Sequence, residues 1–227
     1  MTEVVINKIV RSGRRTLGLQ IYPNGELVVR APYRLSEKQI LLFIDSKKDW
    51  ILKRQRAAVG RLEKAVKRRY EGGEEFLYLG EKYKLDVLAG SGDGLSFNDG
   101  GFVIGGLWEA KAKEQFAKWY IGRAAEVLEE RVNIWTKRSG LYPKRLKIRD
   151  AKTRWGSCGP GGNINLSWRL VMAPMWVVDY VVVHELAHLA VANHSGRYWR
   201  RVFEIMSEEQ CKAGRKWLRV NAGAMVL

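Results

Sequence analysis

The chain has 227 residues, of which 46% are hydrophobic and nine are tryptophan, a composition that excludes a disordered protein and is long enough to bury a core. Forty Lys and Arg against 24 Asp and Glu leave a net charge of +16, which favours phosphates, nucleic acid or acidic polymers as partners unless it is a plain solubilising surface. Two cysteines exclude a disulfide framework, no run approaches the ~20 apolar residues of a membrane helix, and Met1 to Arg15 lacks a signal-like apolar stretch, so a soluble cytoplasmic protein without a membrane partner is expected.

Leu17, Leu19 and Ile21 alternate with Gly18 and Gln20, the period of a half-buried strand. The turn residues Tyr22 to Glu26, with Gly25 among them, lead into Leu27-Val28-Val29, and together these predict a hairpin. Ser36 and Gln39 have the spacing of a capping box, and Ile40, Phe43, Ile44 and Ile51 follow at helical spacing. The segment from Lys47 to Arg69 holds ten Lys or Arg and two acids, and reads either as a solvated helix face or as a phosphate-contacting surface. Phe76 to Ile104 alternates again, punctuated by Gly80, Gly90 to Gly94 and Asn98 to Gly101, and predicts an antiparallel meander. Gly105-Gly106 is the expected boundary between a β-rich part with one basic helix (1–105) and a mostly helical part (106–227), the two packed as one unit.

Ala112, Phe116, Trp119, Tyr120, Ala124, Val127, Leu128 and Trp135 mark a long amphipathic helix that Gly140 should end, with Pro143 beyond it. Lys147 to Val171 reads as two strands joined by the turn Gly159 to Gly162, and Pro174 suits the first turn of a further helix. The fold class expected is α+β.

That further helix carries His184-Glu185-Leu186-Ala187-His188, with His194 six residues on. Histidines at i and i+4 share one helical face, ~6 Å apart along the axis, so both rings can reach one ion. Glu185 lies ~100° round the helix, placed to take a proton from water rather than to bind the metal. A continued helix would turn His194 away, so the helix must end before it, and Asn193 is a tolerable terminator through the left-handed conformation. The flanking Val181, Val182, Val183, Leu186, Ala187, Leu189 and Ala190 make the helix apolar nearly all round, and buried His and Glu need a reason. All three histidines of the chain fall in this window. Three protein ligands on zinc leave a fourth position for water, which is the catalytic pattern.

Arg154-Trp155-Gly156-Ser157-Cys158, Asn163-Ile164-Asn165-Leu166-Ser167, the two-histidine segment, Asn193-His194-Ser195 and Tyr198-Trp199 together resemble the YgjP-like metal-dependent hydrolases. That family is related to the WLM and SprT-like metallopeptidases. The resemblance implies a zincin-like C-terminal part with a short antiparallel sheet, His184, His188 and His194 as zinc ligands, and Glu185 as the catalytic carboxylate. The ligand spacing is also that of metzincins, but Val191 stands where they have Gly.

Around this centre, Arg154 is a candidate to neutralise an oxyanion, a substrate carboxylate or a phosphate, or else a structural cation. Tyr198 is a candidate transition-state donor or a packing residue. Cys158 is either inert core or a group that approaches the metal. Asp179 and Glu204 are candidate carboxylates behind the histidines. The strands Thr153 to Cys158 and Asn163 to Trp168 are candidates to pair with an extended substrate. The function expected is a zinc-dependent metallopeptidase that uses a metal-activated water and a Glu185 general base on a protein or peptide. The alternatives are a nucleoside triphosphate pyrophosphohydrolase, which the resemblance also allows, and a nucleic-acid-binding protein or DNA-associated protease with a zinc site. The oligomeric state is left open.

Overall fold

A computed structural model describes residues 4–22, 24–63, 68–88, 94–98, 100–105 and 109–227. The chain forms two compact units, Met1–Val66 and Lys67–Leu227, so the boundary expected at 105/106 falls within the second. Pro23, Gly90 to Asp93 and Asp99 of the expected turns, Gly106 at the expected boundary, and 64–67 of the basic segment lie outside the described residues.

In the first unit, β1 (Lys8–Ser12), β2 (Gly18–Ile21) and β3 (Leu27–Pro32) form a sheet in the order β1-β3-β2. The β2–β3 hairpin is antiparallel, as the alternation predicts, and Gly25 in its turn has φ +86°. β1 pairs parallel to β3 and was not expected: its Ile9 and Val10 are only half-buried, so it lacks a period-2 signal. The expected helix after Ser36 is two helices, α1 (Glu37–Asp45) and α2 (Lys48–Glu63). Ser36 and Gln39 do form the capping box. The break comes at Ser46, whose hydroxyl donates to Phe43 O at 2.7 Å while its N–H donates to Leu42 O at 3.0 Å, closing the turn locally. Leu27, Val29 and Ala31 face Ile40, Ile44 and Ile51 in a small core. Lys53, Arg54 and Arg56 of the basic segment are exposed on α2.

The second unit opens with β4 (Glu75–Tyr78), β5 (Glu81–Leu88), β6 (Leu95–Asn98) and β7 (Gly101–Gly105), in the order β4-β5-β7-β6. The expected antiparallel meander is corrected here: β4/β5 and β6/β7 are antiparallel hairpins, but β5 and β7 pair in parallel. β7 is buried along most of its length and takes the inner position, which strict chain order would have given to β6. Gly101 makes that pairing possible, since a Cβ there would stand 2.5 Å from Lys84 O.

α3 (Glu109–Ser139) crosses this sheet and stacks Phe116 on Phe76 at 4.1 Å between ring centroids. It stops at Gly140, φ +68°, as expected. Next come β8 (Arg145–Arg149), β9 (Gly156–Cys158) and β10 (Asn163–Ser167), ordered β8-β10-β9, with β9/β10 antiparallel and an additional parallel strand in β8. Trp168–Met172 is a 3-10 turn rather than more strand. Three helices finish the chain: α4 (Met175–Ala187), α5 (Gly196–Ile205) and α6 (Glu208–Asn221).

α4 is a helix against its local preference. Val177, Val178 and Val181 to Val183 are β-branched, each costing roughly half a kcal/mol in a helix relative to Ala. All five are buried, and burying a valine contributes about 1.5 kcal/mol or more. Burial therefore decides, and it fixes the helix that carries the histidines. No helix among the described residues is long and apolar enough to cross a membrane.

Candidate metal centre

The last turn of α4 supplies His184 and Glu185, and His188 is its C-cap residue in right-handed conformation. The helix thus ends at Ala187, seven residues before His194, as the geometry of the third histidine requires. The expected left-handed terminator at Asn193 is corrected: no residue from 188 to 195 has positive φ. The chain leaves α4 through tight turns, Leu189 N to Leu186 O at 2.9 Å and Ala190 N to Ala187 O at 3.1 Å. Asn193 acts later, its side-chain oxygen accepting from Ser195 N at 3.3 Å just before α5.

These turns bring the three imidazoles together. His194 Nε2 lies 3.1 Å from His184 Nε2 and 3.2 Å from His188 Nε2. Nitrogens on a common tetrahedral zinc ion, ~2.0–2.1 Å away from it, stand about 3.3 Å apart. The ring protons support the same geometry. His188 Nδ1 is 3.1 Å from Val191 O, and a carbonyl only accepts, so Nδ1 carries the proton and Nε2 presents its lone pair. Tyr198 Oη lies 2.7 Å from His184 Nδ1 and 2.9 Å from His184 O. Both contacts are satisfied when Nδ1–H donates to Oη and the hydroxyl donates to the carbonyl, which again leaves Nε2 bare. One ring proton on His194 could serve only one of its two Nε2 neighbours. The donor set therefore suits a cation, and the three side chains could hold a metal ion. Burial, with the neighbouring imidazoles and Arg215, lowers His184 to about 3, so its ring is neutral near pH 7. Burial also lowers His188.

Glu185 is 5% exposed and packs against β9. A Cβ on Gly156 would lie 2.6 Å from both Glu185 Cγ and Oε1, so the missing side chain at 156 makes room for the carboxylate. Burial raises the Glu185 carboxyl to about 7, with Arg154 pulling it back. Arg154 itself is exposed, on the segment entering β9.

The remaining expectations fall differently. Tyr198 is fully buried, and its hydroxyl contacts His184 Nδ1 and the His184 main-chain oxygen. Asp179 and Glu204 do not back the histidines. Asp179 accepts from Arg131 at 2.6 and 2.8 Å and from Trp135 Nε1 at 2.8 Å, and Glu204 pairs with Arg201 at 2.7 Å. The groups behind the rings are instead a phenol and a main-chain carbonyl, the second of which has no letter in a sequence. Cys158 is not part of the three-imidazole group; its thiol, 3.7 Å from Gly159 O, is pushed up by burial and by Glu185. β10 is the central strand of its sheet, which leaves β9 as the strand able to accept a partner beside Glu185.

Among solved structures, the chain is similar to the metallopeptidase zymogen abylysin of Pyrococcus abyssi, at 22% identity and a TM-score of 0.39, over 41% of this chain and 93% of that one. It is also similar to the zymogen jannalysin of Methanocaldococcus jannaschii, at 16% identity and a TM-score of 0.38, over 41% of this chain and 95% of that one. Among curated proteins it has no significant match. Residues 15–221 match the family described as "YgjP-like, metallopeptidase domain", which is nearly the whole chain. The chain thus belongs to the YgjP-like metallopeptidases, a family of metal-dependent peptidases.

Proposed function

We propose that the chain is a zinc-dependent peptidase in which His184, His188 and His194 hold the ion and Glu185 is the general base. The convergence of three Nε2 atoms, with the two α4 rings held in the tautomer that offers a lone pair, carries this reading. Zinc bound there would supply a Lewis acid that acidifies water and polarises a peptide carbonyl.

The chain's own groups do the rest. A Glu185 carboxyl raised to about 7 by burial takes a proton more readily than an ordinary carboxylate and can return it to a leaving amine at a similar pH. Val191 O and Tyr198 Oη hold the two α4 rings in place. β9 orients the substrate. Its register makes Ser157/Asn165 a hydrogen-bonded pair, like Trp155/Ser167, whose Ser167 N donates to Trp155 O at 2.8 Å. The main-chain groups of Gly156 and Cys158 therefore point to the open edge, where an extended peptide can pair with them beside Glu185.

Tyr198→Phe is expected to keep the fold and lower metal affinity about tenfold or more, because it removes the partner of His184 Nδ1. Competition against a chromophoric chelator measures this, and unchanged affinity would remove the positioning role.

The nucleotide reading has no observation of its own, since the metal-ligating group found among the described residues is three imidazoles with no carboxylate among them. The reading is tested by incubating the purified chain with denatured protein and, in parallel, with nucleoside triphosphates. Cleavage of protein that phenanthroline abolishes and added zinc restores is expected. Triphosphate hydrolysis without proteolysis would overturn it.

A further inference from the structure

The outer face of the β8-β10-β9 sheet carries a cavity of about 260 Å³, lined by Arg149, Ala151, Arg154, Ser157, Asn165 and Ser167 among others. Ser157 and Asn165 are register partners and so turn their side chains to this face, while at their neighbours Gly156 and Leu166, which also border the cavity, the Cβ direction is the opposite one, toward Glu185 at Gly156. Ser167 Oγ donates to Ala151 O at 3.0 Å and ties the segment that carries Arg154 across the end of the sheet. The cavity is smaller than a typical drug-sized pocket and suits one side chain or one chain end.

Its two guanidinium groups are not tied into ion pairs. Among the described residues neither the Arg149 nor the Arg154 side chain makes an ion pair or a hydrogen bond, and Arg154 feels a carboxylate only through the field of Glu185. The nearby Asp150 is taken by Arg169 and by Trp168 Nε1, the latter at 3.1 Å. Asn165 Nδ2 donates weakly to Ser157 Oγ at 3.4 Å, leaving the Ser157 proton available. Two guanidinium forks free of hydrogen bonds, a hydroxyl and an amide around a one-residue cavity form the donor set that a carboxylate requires.

We propose that this cavity is a carboxylate-binding subsite that makes the enzyme selective for peptides with an acidic side chain or a free C-terminus beside the scissile bond. The inference rests on the peptidase reading for its location. A peptide added along β9 turns alternate side chains to opposite faces, so the residue next to the one facing Glu185 lies on the face of this cavity, with Arg154 on the segment entering β9 and Arg149 two strands in, on β8. Lining of this kind recognises by charge and by bidentate geometry together, so Lys in place of Arg is a poor substitute.

The test compares three peptides of one sequence: internal Glu with an amidated end, internal Gln with a free acid end, and internal Gln with an amidated end. Binding is measured calorimetrically on metal-loaded Glu185→Gln, which holds peptide without cleaving it, and kcat/KM is measured on the wild type. One of the two carboxylate peptides is expected to bind about tenfold more tightly than the neutral one, by a margin that narrows as salt rises. Which one does so tells a side chain from a chain end. Arg149→Gln should erase that margin, Arg149→Lys should restore only part of it, and Arg149→Glu should shift preference to a Lys peptide. Equal binding of all three peptides, or a preference that survives both Arg149→Gln and Arg154→Gln, overturns the subsite. A preference that Arg149→Gln erases, in a wild-type chain that cleaves none of the peptides, supports the subsite and rejects the peptidase reading. Cleavage of all three at equal kcat/KM with equal binding does the reverse.

Discussion

Glu185→Gln is expected to keep the metal content of the wild-type chain and to lose turnover of denatured protein by roughly 10²–10⁴-fold, the range for losing a general base. The substitution is nearly isosteric, which matters because the site is tight. Glu185 is buried, and its Cγ and Oε1 fill the space that Gly156 leaves. Gln occupies that space and keeps the packing on β9. The three imidazoles are untouched, and Val191 O and Tyr198 Oη still orient the α4 rings. What disappears is a group that can accept a proton. Removing a carboxyl that burial has raised also relieves a desolvated charge, so thermal stability should hold or rise slightly. Elemental analysis, a thermal melt and a peptidase assay on the same preparation decide it. Equal turnover in the two proteins would remove Glu185 from the chemistry, and loss of metal would mean that Glu185 contributes to holding the ion.

Much of this site is legible in the sequence because its geometry is local. Two histidines four apart on a helix share a face whatever the rest of the fold does, and the apolar residues around them announce burial. The capping box at Ser36 and the stop at Gly140 are readable for the same reason, since each is decided within a few residues. Contacts between distant segments are not legible in this way. The parallel pairings of β1 with β3 and β5 with β7 depend on where later strands dock, and nothing in Lys8–Ser12 or Gly101–Gly105 alone states a partner. Asp179 illustrates the limit at the site. A carboxylate one turn before His184 is a reasonable candidate to hold an imidazole, yet the guanidinium of Arg131, 48 positions away, claims both of its oxygens. The partners that do hold the rings come from the Val191 main chain and from a tyrosine on the next helix.

Gly156 is the position where fold and chemistry are most tightly joined, and Gly156→Ala is expected to reduce turnover by ~10²-fold or more with metal binding kept. The added methyl would sit 2.6 Å from Glu185 Cγ and Oε1 and 2.8 Å from Cδ, well inside contact distance, so one side must yield. β9 cannot yield easily, because it is pinned to β10 through Ser167 N to Trp155 O at 2.8 Å and Gly159 N to Asn163 O at 2.9 Å. α4 cannot either, with Val182, Val183 and Leu186 buried around Glu185. The carboxylate is left to move, by about an ångström, and a misplacement of that size costs on the order of 10²-fold in rate. The three atoms nearest the added methyl all belong to Glu185 and none to a histidine, so metal stoichiometry should match the wild type. Because the strain falls on Glu185, Gly156→Ala combined with Glu185→Gln should be little worse than Glu185→Gln alone, the non-additivity expected of groups in contact. A steady-state comparison of the four proteins measures that coupling. Fully additive losses would place the effect of Gly156 elsewhere, in the pairing of substrate along β9 rather than in the placement of the base.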